Sequence, residues 1–278
     1  MSERFIVAVS GGVDSIALLH KLAQQPNVEL IVAHFDHGIR GNSAEDAKFV
    51  KDLARGYGLK FETRREELGK NASEELARDR RYEFLRSIAK KYDGKIVTAH
   101  HGDDVVETVG INMVRGTGWR GLAVLDSDIV RPLLGLSKQD ILKYAKKHGL
   151  QWCEDSTNAS DNYLRNRLRR KMSKLDEDSR RQLLGLREHQ VKSKKEIEDE
   201  VRSLIGDGPS YSRYFFSQID EKTGIECLRY ITRAKLTRPQ LRSALLAIKT
   251  SQAGKKYQAG AGVEFRFTSR NFSLELIK

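Results

Sequence analysis

The chain has 278 residues, 39% hydrophobic and 32% charged. That is long enough for one or two domains with a real core, and the composition is that of a soluble globular protein. Fifty Lys and Arg against 38 acidic residues give a formal net charge of +12 and a pI of about 9.6, a surface suited to a polyanion such as nucleic acid. Cys153 and Cys227 stand far apart with no CxxC, which argues against a zinc ribbon or an iron–sulfur site. The opening MSERFIVAVSGG lacks the apolar stretch of a secretory signal, and no run is long enough to span a bilayer. A cytoplasmic chain with no membrane partner is expected.

In chain order, Phe5–Val9 reads as a buried strand, followed by a helix from about Ser15 to Gln25. VELIVAHF is a second strand. SAEDAKFVKDLARGYG is a helix with a capping-box start at Ser43 and Asp46 and a glycine stop at Gly58. LKFETR is a short strand, SEELARDRRYEFLRSIAKKYDG a long helix ending at Gly94, KIVTAH a strand and Asp103 to Arg115 a helix. SKQDILKYAKKHG repeats the capped pattern, with Ser137 and Asp140 at its start and Gly149 at its end. Beyond about Arg170 the pattern changes to charged helical segments, KLDEDSRRQLLGLREHQVKSKKEIEDEVRSLI and IECLRYITRAKLTRPQLRSALLAIKTS, and then to an alternating stretch, GVEFRFTSRNFSLELIK, that predicts a hairpin turning at SRN.

Strand–helix alternation with short connections predicts an α/β fold, a doubly wound parallel sheet covered on both faces. A boundary near Met172 divides the chain into a first domain, 1–172, and a second, smaller, mainly helical domain, 173–278. Ligands of such sheets bind beyond the carboxyl ends of the strands, and Ser10–Ser15, His34–Arg40 and His100–Asp104 all fall at those ends.

The first of these turns, SGGVDS, joins a strand to a helix. Glycines let backbone N–H groups point at an anion, and the helix N-terminus that follows faces the same anion. Neither GxGxxG nor GxxxxGK[ST] is present, and the missing lysine argues against γ-phosphoryl transfer by a P-loop kinase or GTPase. Ser10 and Ser15 can donate to phosphate oxygens. Asp14 is unexpected beside an anion unless it caps the helix or helps hold Mg²⁺.

SGGVDS resembles the pyrophosphate loop of the ATP pyrophosphatase superfamily. HFDHGIRG, ARDRRYEFL, TAHHGDDVVET, VRGTGWRGL, RPLLGLSKQDI and EDSTNASDNYLRNRLR follow in that order, and together they resemble the tRNA(Ile)-lysidine synthetase family over about Phe5 to Arg170. The tail resembles that family's substrate-binding domain only loosely, and a compact form of the family is expected. The resemblance implies an adenine nucleotide alpha-hydrolase-like fold. It also implies ATP and Mg²⁺ as cofactors, and free L-lysine and a tRNA(Ile) with a CAU anticodon as partners. The implied reaction adenylates C2 of the wobble cytidine, and the lysine ε-amine then displaces AMP. A homodimer is compatible with the resemblance.

The resemblance assigns Ser10, Gly11, Gly12, Asp14 and Ser15 to the departing pyrophosphate. Asp104 and Glu107, three apart on one helix, would hold the α-ammonium of lysine; alternatively they compensate a helix dipole on a solvated face. Asp36 would take the proton that the lysine amine must lose, or orient Mg²⁺ and ATP. Arg40 and Arg115 suit the charge on the α-phosphate. Arg78 and Arg81 share a helix face and would reach ATP or RNA. Arg165 and Arg167 open a run of six bases without an acid, ending at Lys174, that suits an RNA backbone or else is a solvated helix end.

Two other readings stay open. His34, His37, His100 and His101 with Asp36, Asp103 and Asp104 have the donor types of a metal-dependent phosphoesterase, although no residue is assigned as a resident metal ligand. An RNA-binding protein with an inactive ATP site is the third. Related tRNA thiolases often carry paired cysteines, and their absence here favours amine transfer over sulfur transfer.

Overall fold

Strands β1 (Glu3–Ala8), β2 (Val28–Asp36) and β4 (Lys95–Val97) carry β-branched and aromatic residues that alternate between two buried faces, and β3 (Lys60–Arg65) is a charged edge strand without a buried residue. The computed structural model describes residues 3–38, 43–69, 72–153, 172 and 175–276. All three strand pairs of this sheet are parallel and the order is β3-β2-β1-β4. A parallel bridge between Val97 and Val130 continues the pairing beyond β4.

Phe5, Val7, Leu30, Val32 and Val97 face one side of the sheet, where they pack with helices α1 (Val13–Ala23), α2 (Ser43–Gly56) and α5 (Lys138–Lys147). Ile6, Ile31, Phe35 and Ile96 face the other side and pack with α3 (Glu74–Tyr92) through Tyr82, Phe84, Leu85 and Ile88. Helices therefore cover both faces, as the alternation predicts. The chain steps outward from β1 to β3 and then returns through α3 to β4, so the strand order reverses between β1 and β4. That reversal opens a crevice at the carboxyl ends of these two strands. Helix α4 (Gly102–Val114) follows β4 there and packs Val105 and Val109 against Val124, Leu183 and Leu184.

The local signals hold where they are described. Ser73 caps α3 by accepting the Leu76 N–H at 3.1 Å, and Ser137 and Asp140 form a capping box on α5. Helix α2 starts at Ser43, and the capping box expected there depends on groups outside the described residues. Strand β4 is shorter than KIVTAH, and its last three residues form the approach to α4.

The chain forms two units, Met1–Val191 and Lys192–Lys278, and the long helix α6 (Glu177–Ile205) contributes to both. The second unit adds helices α7 (Arg213–Gln218), α8 (Glu221–Ile231) and α9 (Arg238–Thr250). They share one core with an antiparallel sheet of order β5-β8-β7-β6: β5 (Ser210–Ser212), β6 (Lys256–Gly260), β7 (Val263–Phe267) and β8 (Asn271–Leu276). The β7–β8 hairpin is the one expected. Strands β5 and β6 carry too little alternation to be read in isolation. Phe216, Phe265 and Phe272 fill the core, with Phe216 edge-on to Phe272 at 5.1 Å. No helix among the described residues is long and apolar enough to cross a membrane.

Candidate active site

The glycine turn sits on β1's carboxyl end, beside the point of strand reversal. Gly11 has φ +96°, a conformation that costs an L side chain, and a Cβ there would meet the Cys153 Sγ at 3.4 Å. Gly12 is the N-cap of α1 with ordinary φ −73° and no side chain capping the helix. Ser15 is buried; its hydroxyl donates to the Gly12 carbonyl at 2.9 Å and accepts the Ser10 N–H at 3.2 Å. Its proton is thus spent on the shape of the turn, and the exposed Ser10 hydroxyl is the one that faces solvent. Two neighbours brace the turn from outside: the Cys153 N–H donates to the Gly11 carbonyl at 2.9 Å, and the buried His34 donates from Nδ1 to the Val9 carbonyl at 2.8 Å.

Asp14 does not cap α1. Its carboxylate receives the Lys138 ammonium at 2.6 and 2.7 Å, and the His101 Nε2 lies 3.9 Å away. Lys138 opens α5, and its backbone N–H donates to the Asp103 Oδ2 at 2.7 Å. Arg180 closes on the other oxygen of Asp103. The first turns of α1, α4 and α5 therefore meet through Asp14, Asp103 and Lys138. Lys138 was not singled out from sequence; its only signal there is its place in RPLLGLSKQDI.

Asp104 accepts the His101 N–H at 2.9 Å and completes a capping box on α4. Glu107, one turn on, is 4% exposed, which removes the alternative of a solvated helix face. A carboxylate this buried is retained only where something is there to hold it. Asp36, 6% exposed at the end of β2, accepts the Gly38 N–H at 2.8 Å and lies 3.6 Å from Arg65.

Arg78 and Arg81 stack over the Tyr82 ring at 4.9 and 5.5 Å. With Arg131, they face His100 at the end of β4. Burial first, and then these three guanidinium groups, push the His100 imidazole down to about 3, so it is neutral at physiological pH and accepts or donates one hydrogen bond with Thr98 at 2.8 Å. Arg131 reaches the Leu125 and Ile129 carbonyls at 2.8 and 3.1 Å. The result is a cationic wall beside the crevice, to which sequence reading contributed Arg78 and Arg81 but not Arg131.

Arg115 stands elsewhere: it is the exposed C-cap of α4, and 13 helical residues separate it from Gly102 by about 20 Å. The structure does not bring it to the glycine turn. Arg40, Arg165 and Arg167 lie outside the described residues. Of the histidines and aspartates that suggested a phosphoesterase, His34 is engaged on Val9 and His100 on Thr98, while His101 lies 3.8 Å from Asp103 and 3.6 Å from Asp104. Among the described residues no three His, Cys, Asp or Glu side chains are grouped to hold a metal.

Residues 1–175 match the PP-loop domain family. A tRNA(Ile)-lysidine synthase of Bacillus cereus is 42% identical over 184 residues, covering 59% of this chain and 38% of that protein. One from Thermotoga maritima is 37% identical over 184 residues, covering 61% of this chain and 44% of that protein. The chain thus spans less than half the length of these curated relatives. Among solved structures, the U34-tRNA thiolase NcsA from Methanococcus maripaludis with its [4Fe-4S] cluster superposes with a TM-score of 0.57. It is 19% identical, over 68% of this chain and 72% of that one, a likeness of fold alone. A braced strand–glycine turn–helix at the point of strand reversal, inside a match that takes in more than half of the residues, means that the chain belongs to the PP-loop domain family.

Proposed function

We propose that the chain ligates free L-lysine to C2 of the wobble cytidine of a tRNA(Ile) with a CAU anticodon, through an ATP-adenylated cytidine, with release of AMP and pyrophosphate. The glycine turn carries this reading: Gly11 is in the left-handed region and no side chain caps α1, which leaves the helix N-terminus at the crevice open to an anion. The tRNA(Ile)-lysidine synthase names of the 37–42% identical relatives support the choice of substrate.

In this reading Ser10, Gly11 and Gly12 hold the β and γ phosphates that leave together, while Ser15 keeps the turn in shape. The cationic wall of Arg78, Arg81 and Arg131 takes the α-phosphate or the RNA backbone; neutral His100 adds a hydrogen bond without further charge. Asp104 and Glu107 bind the α-ammonium of lysine. Asp36 accepts the proton that the ε-amine loses before it attacks C2, and the C2–O bond to AMP then breaks. Arg40, Arg165 and Arg167 belong to the RNA and phosphate contacts of the proposal, and the second unit to recognition of the remaining tRNA.

Mg²⁺ arriving on the triphosphate would neutralise the departing charge, and Asp36 is the carboxylate that would hold it if the lysine proton goes elsewhere. A lone carboxylate suits a cation that keeps its waters and binds mainly to phosphate. A cytoplasmic place of action goes with this substrate.

The test is incubation of the purified chain with ATP, Mg²⁺, labelled lysine and mixed tRNA. Label is expected in one isoleucine tRNA with the CAU anticodon, with AMP and pyrophosphate formed in step. Release of ADP, or label in no tRNA, overturns the reading.

A further inference from the structure

The glycine turn carries two hydroxyls and an aspartate but no cation, although the group assigned to it is a polyanion. Lys138, 124 residues away in sequence, brings an ammonium to that turn. Its three donors are arranged around Nζ. Two go to the carboxylate oxygens of Asp14, and the third has no partner among the described residues. The base of the side chain is pinned, because the Lys138 N–H is held by Asp103 and Ser137 and Asp140 cap α5 directly before and after it. The pair is 40% exposed at Lys138 and 30% at Asp14, and so open an ion pair contributes little to stability. A mere staple between α1 and α5 would not need an aspartate at a position that otherwise repels the anion. Three helix N-termini meet here, each of which favours negative charge.

We propose that Lys138 is the cation of the glycine turn, a binding residue for the β and γ phosphates of ATP and for the pyrophosphate they become, and that Asp14 is the positioning residue that aims it. This rests on the ATP-dependent reading above. Lys138 does from a separate helix what an in-loop lysine does in a P-loop: its remaining N–H donates to a phosphate oxygen while Asp14 keeps the ammonium over the turn. The division of charge also predicts selectivity. Lys138 acts on the leaving pyrophosphate and not on the AMP half of the nucleotide.

Calorimetric titration of the full chain with inorganic pyrophosphate and, separately, with AMP tests this, both in Mg²⁺. Lys138→Met is expected to weaken pyrophosphate about ten- to a hundredfold, the value of a charged hydrogen bond, and to leave AMP within about twofold. Lys138→Arg should restore most of the loss. Because Asp14 works through Lys138, Asp14→Asn should cost less than Lys138→Met, and adding it to Lys138→Met should cost nothing more. Circular dichroism checks the fold, and Lys138→Gln replaces the methionine variant if that one is unfolded. If Lys138 only neutralises Asp14, the Asp14→Asn/Lys138→Met double variant recovers wild-type pyrophosphate affinity, and the proposal falls. It falls equally if AMP and pyrophosphate weaken together, or if Lys138→Met binds pyrophosphate as the wild type does. A wild-type chain that binds neither ATP nor pyrophosphate removes the ATP-dependent reading itself, whatever Lys138 does.

Discussion

Cys153 and Gly11 are joined backbone to backbone, the Cys153 N–H donating to the Gly11 carbonyl at 2.9 Å, and the same cysteine's Sγ would touch a Gly11 Cβ at 3.4 Å. A residue far along the chain thus sets the shape of the first turn. Gly11 also has φ +96°, which costs an L-residue about 1–2 kcal/mol. Gly11→Ala is therefore expected to lower urea stability by about that amount and to cut pyrophosphate release further, because the N–H groups of the turn lose their aim. Gly12→Ala, with ordinary φ and a nearest neighbour at 3.6 Å, should stay within about 0.5 kcal/mol of wild type. Equal losses at the two glycines would refute this account of the turn.

The Cys153 thiol is pushed up to about 11, by burial first and then by its hydrogen bond and charge contact with Asp46; Cys227 reaches about 11 by burial and the charge of Glu226. Only the thiolate is nucleophilic, so at pH 8 both cysteines should alkylate about a hundredfold more slowly in the native chain than in urea. The rate of iodoacetamide labelling, followed by mass spectrometry, checks it. Rapid native labelling of Cys153 would mean that the brace on Gly11 is not formed.

His100 ties stability to pH. Its folded-state value, about 3, lies below the ordinary 6.5, so between these limits the unfolded chain binds a proton that the folded chain does not. The stability this neutral imidazole contributes is fully present above about pH 6.5 and is lost as the pH falls towards 3, by up to about 1.4 kcal/mol per pH unit. His100→Gln, which keeps a hydrogen bond to Thr98 without titrating, should flatten the acid limb of a urea-midpoint profile. An unchanged slope in that variant would show that His100 is solvated and titrates normally.

In the proposed reaction Glu107 distinguishes lysine from ATP. If its buried carboxylate holds the α-ammonium, Glu107→Ala should raise the KM for lysine about ten- to a hundredfold and leave that for ATP nearly constant, since a hydrogen-bonded charge contact is worth roughly 1.5–3 kcal/mol. Glu107→Gln, of the same shape, controls for packing and should show the same separation. A parallel rise for both substrates would assign Glu107 to the architecture of α4.

Whatever depends on local chemistry is legible along the chain. Hydrophobic alternation set the strands, Ser73, Ser137 and Asp140 set helix starts, and SGGVDS could be read as an anion-binding turn because a glycine at positive φ and a helix N-terminus act within a few residues of each other. The parallel sheet followed from short connections, and with it the place of Ser10–Ser15 and His100–Asp104 at one edge.

Which groups meet across that edge, and which are already engaged, depends on packing. Lys138 reaches Asp14 over 124 residues of chain, and Arg131 joins Arg78 and Arg81 around His100 only because α3, β4 and the Val130 bridge are adjacent. Packing also has the Ser15 hydroxyl donate to the Gly12 carbonyl, sets Arg115 at the far end of α4, about 20 Å from Gly102, and buries Glu107. Strands β5 and β6 are likewise defined by their partners, because a strand's hydrogen bonds are made to another segment and a helix's to itself. Contact between distant residues is fixed by packing, which no local pattern records.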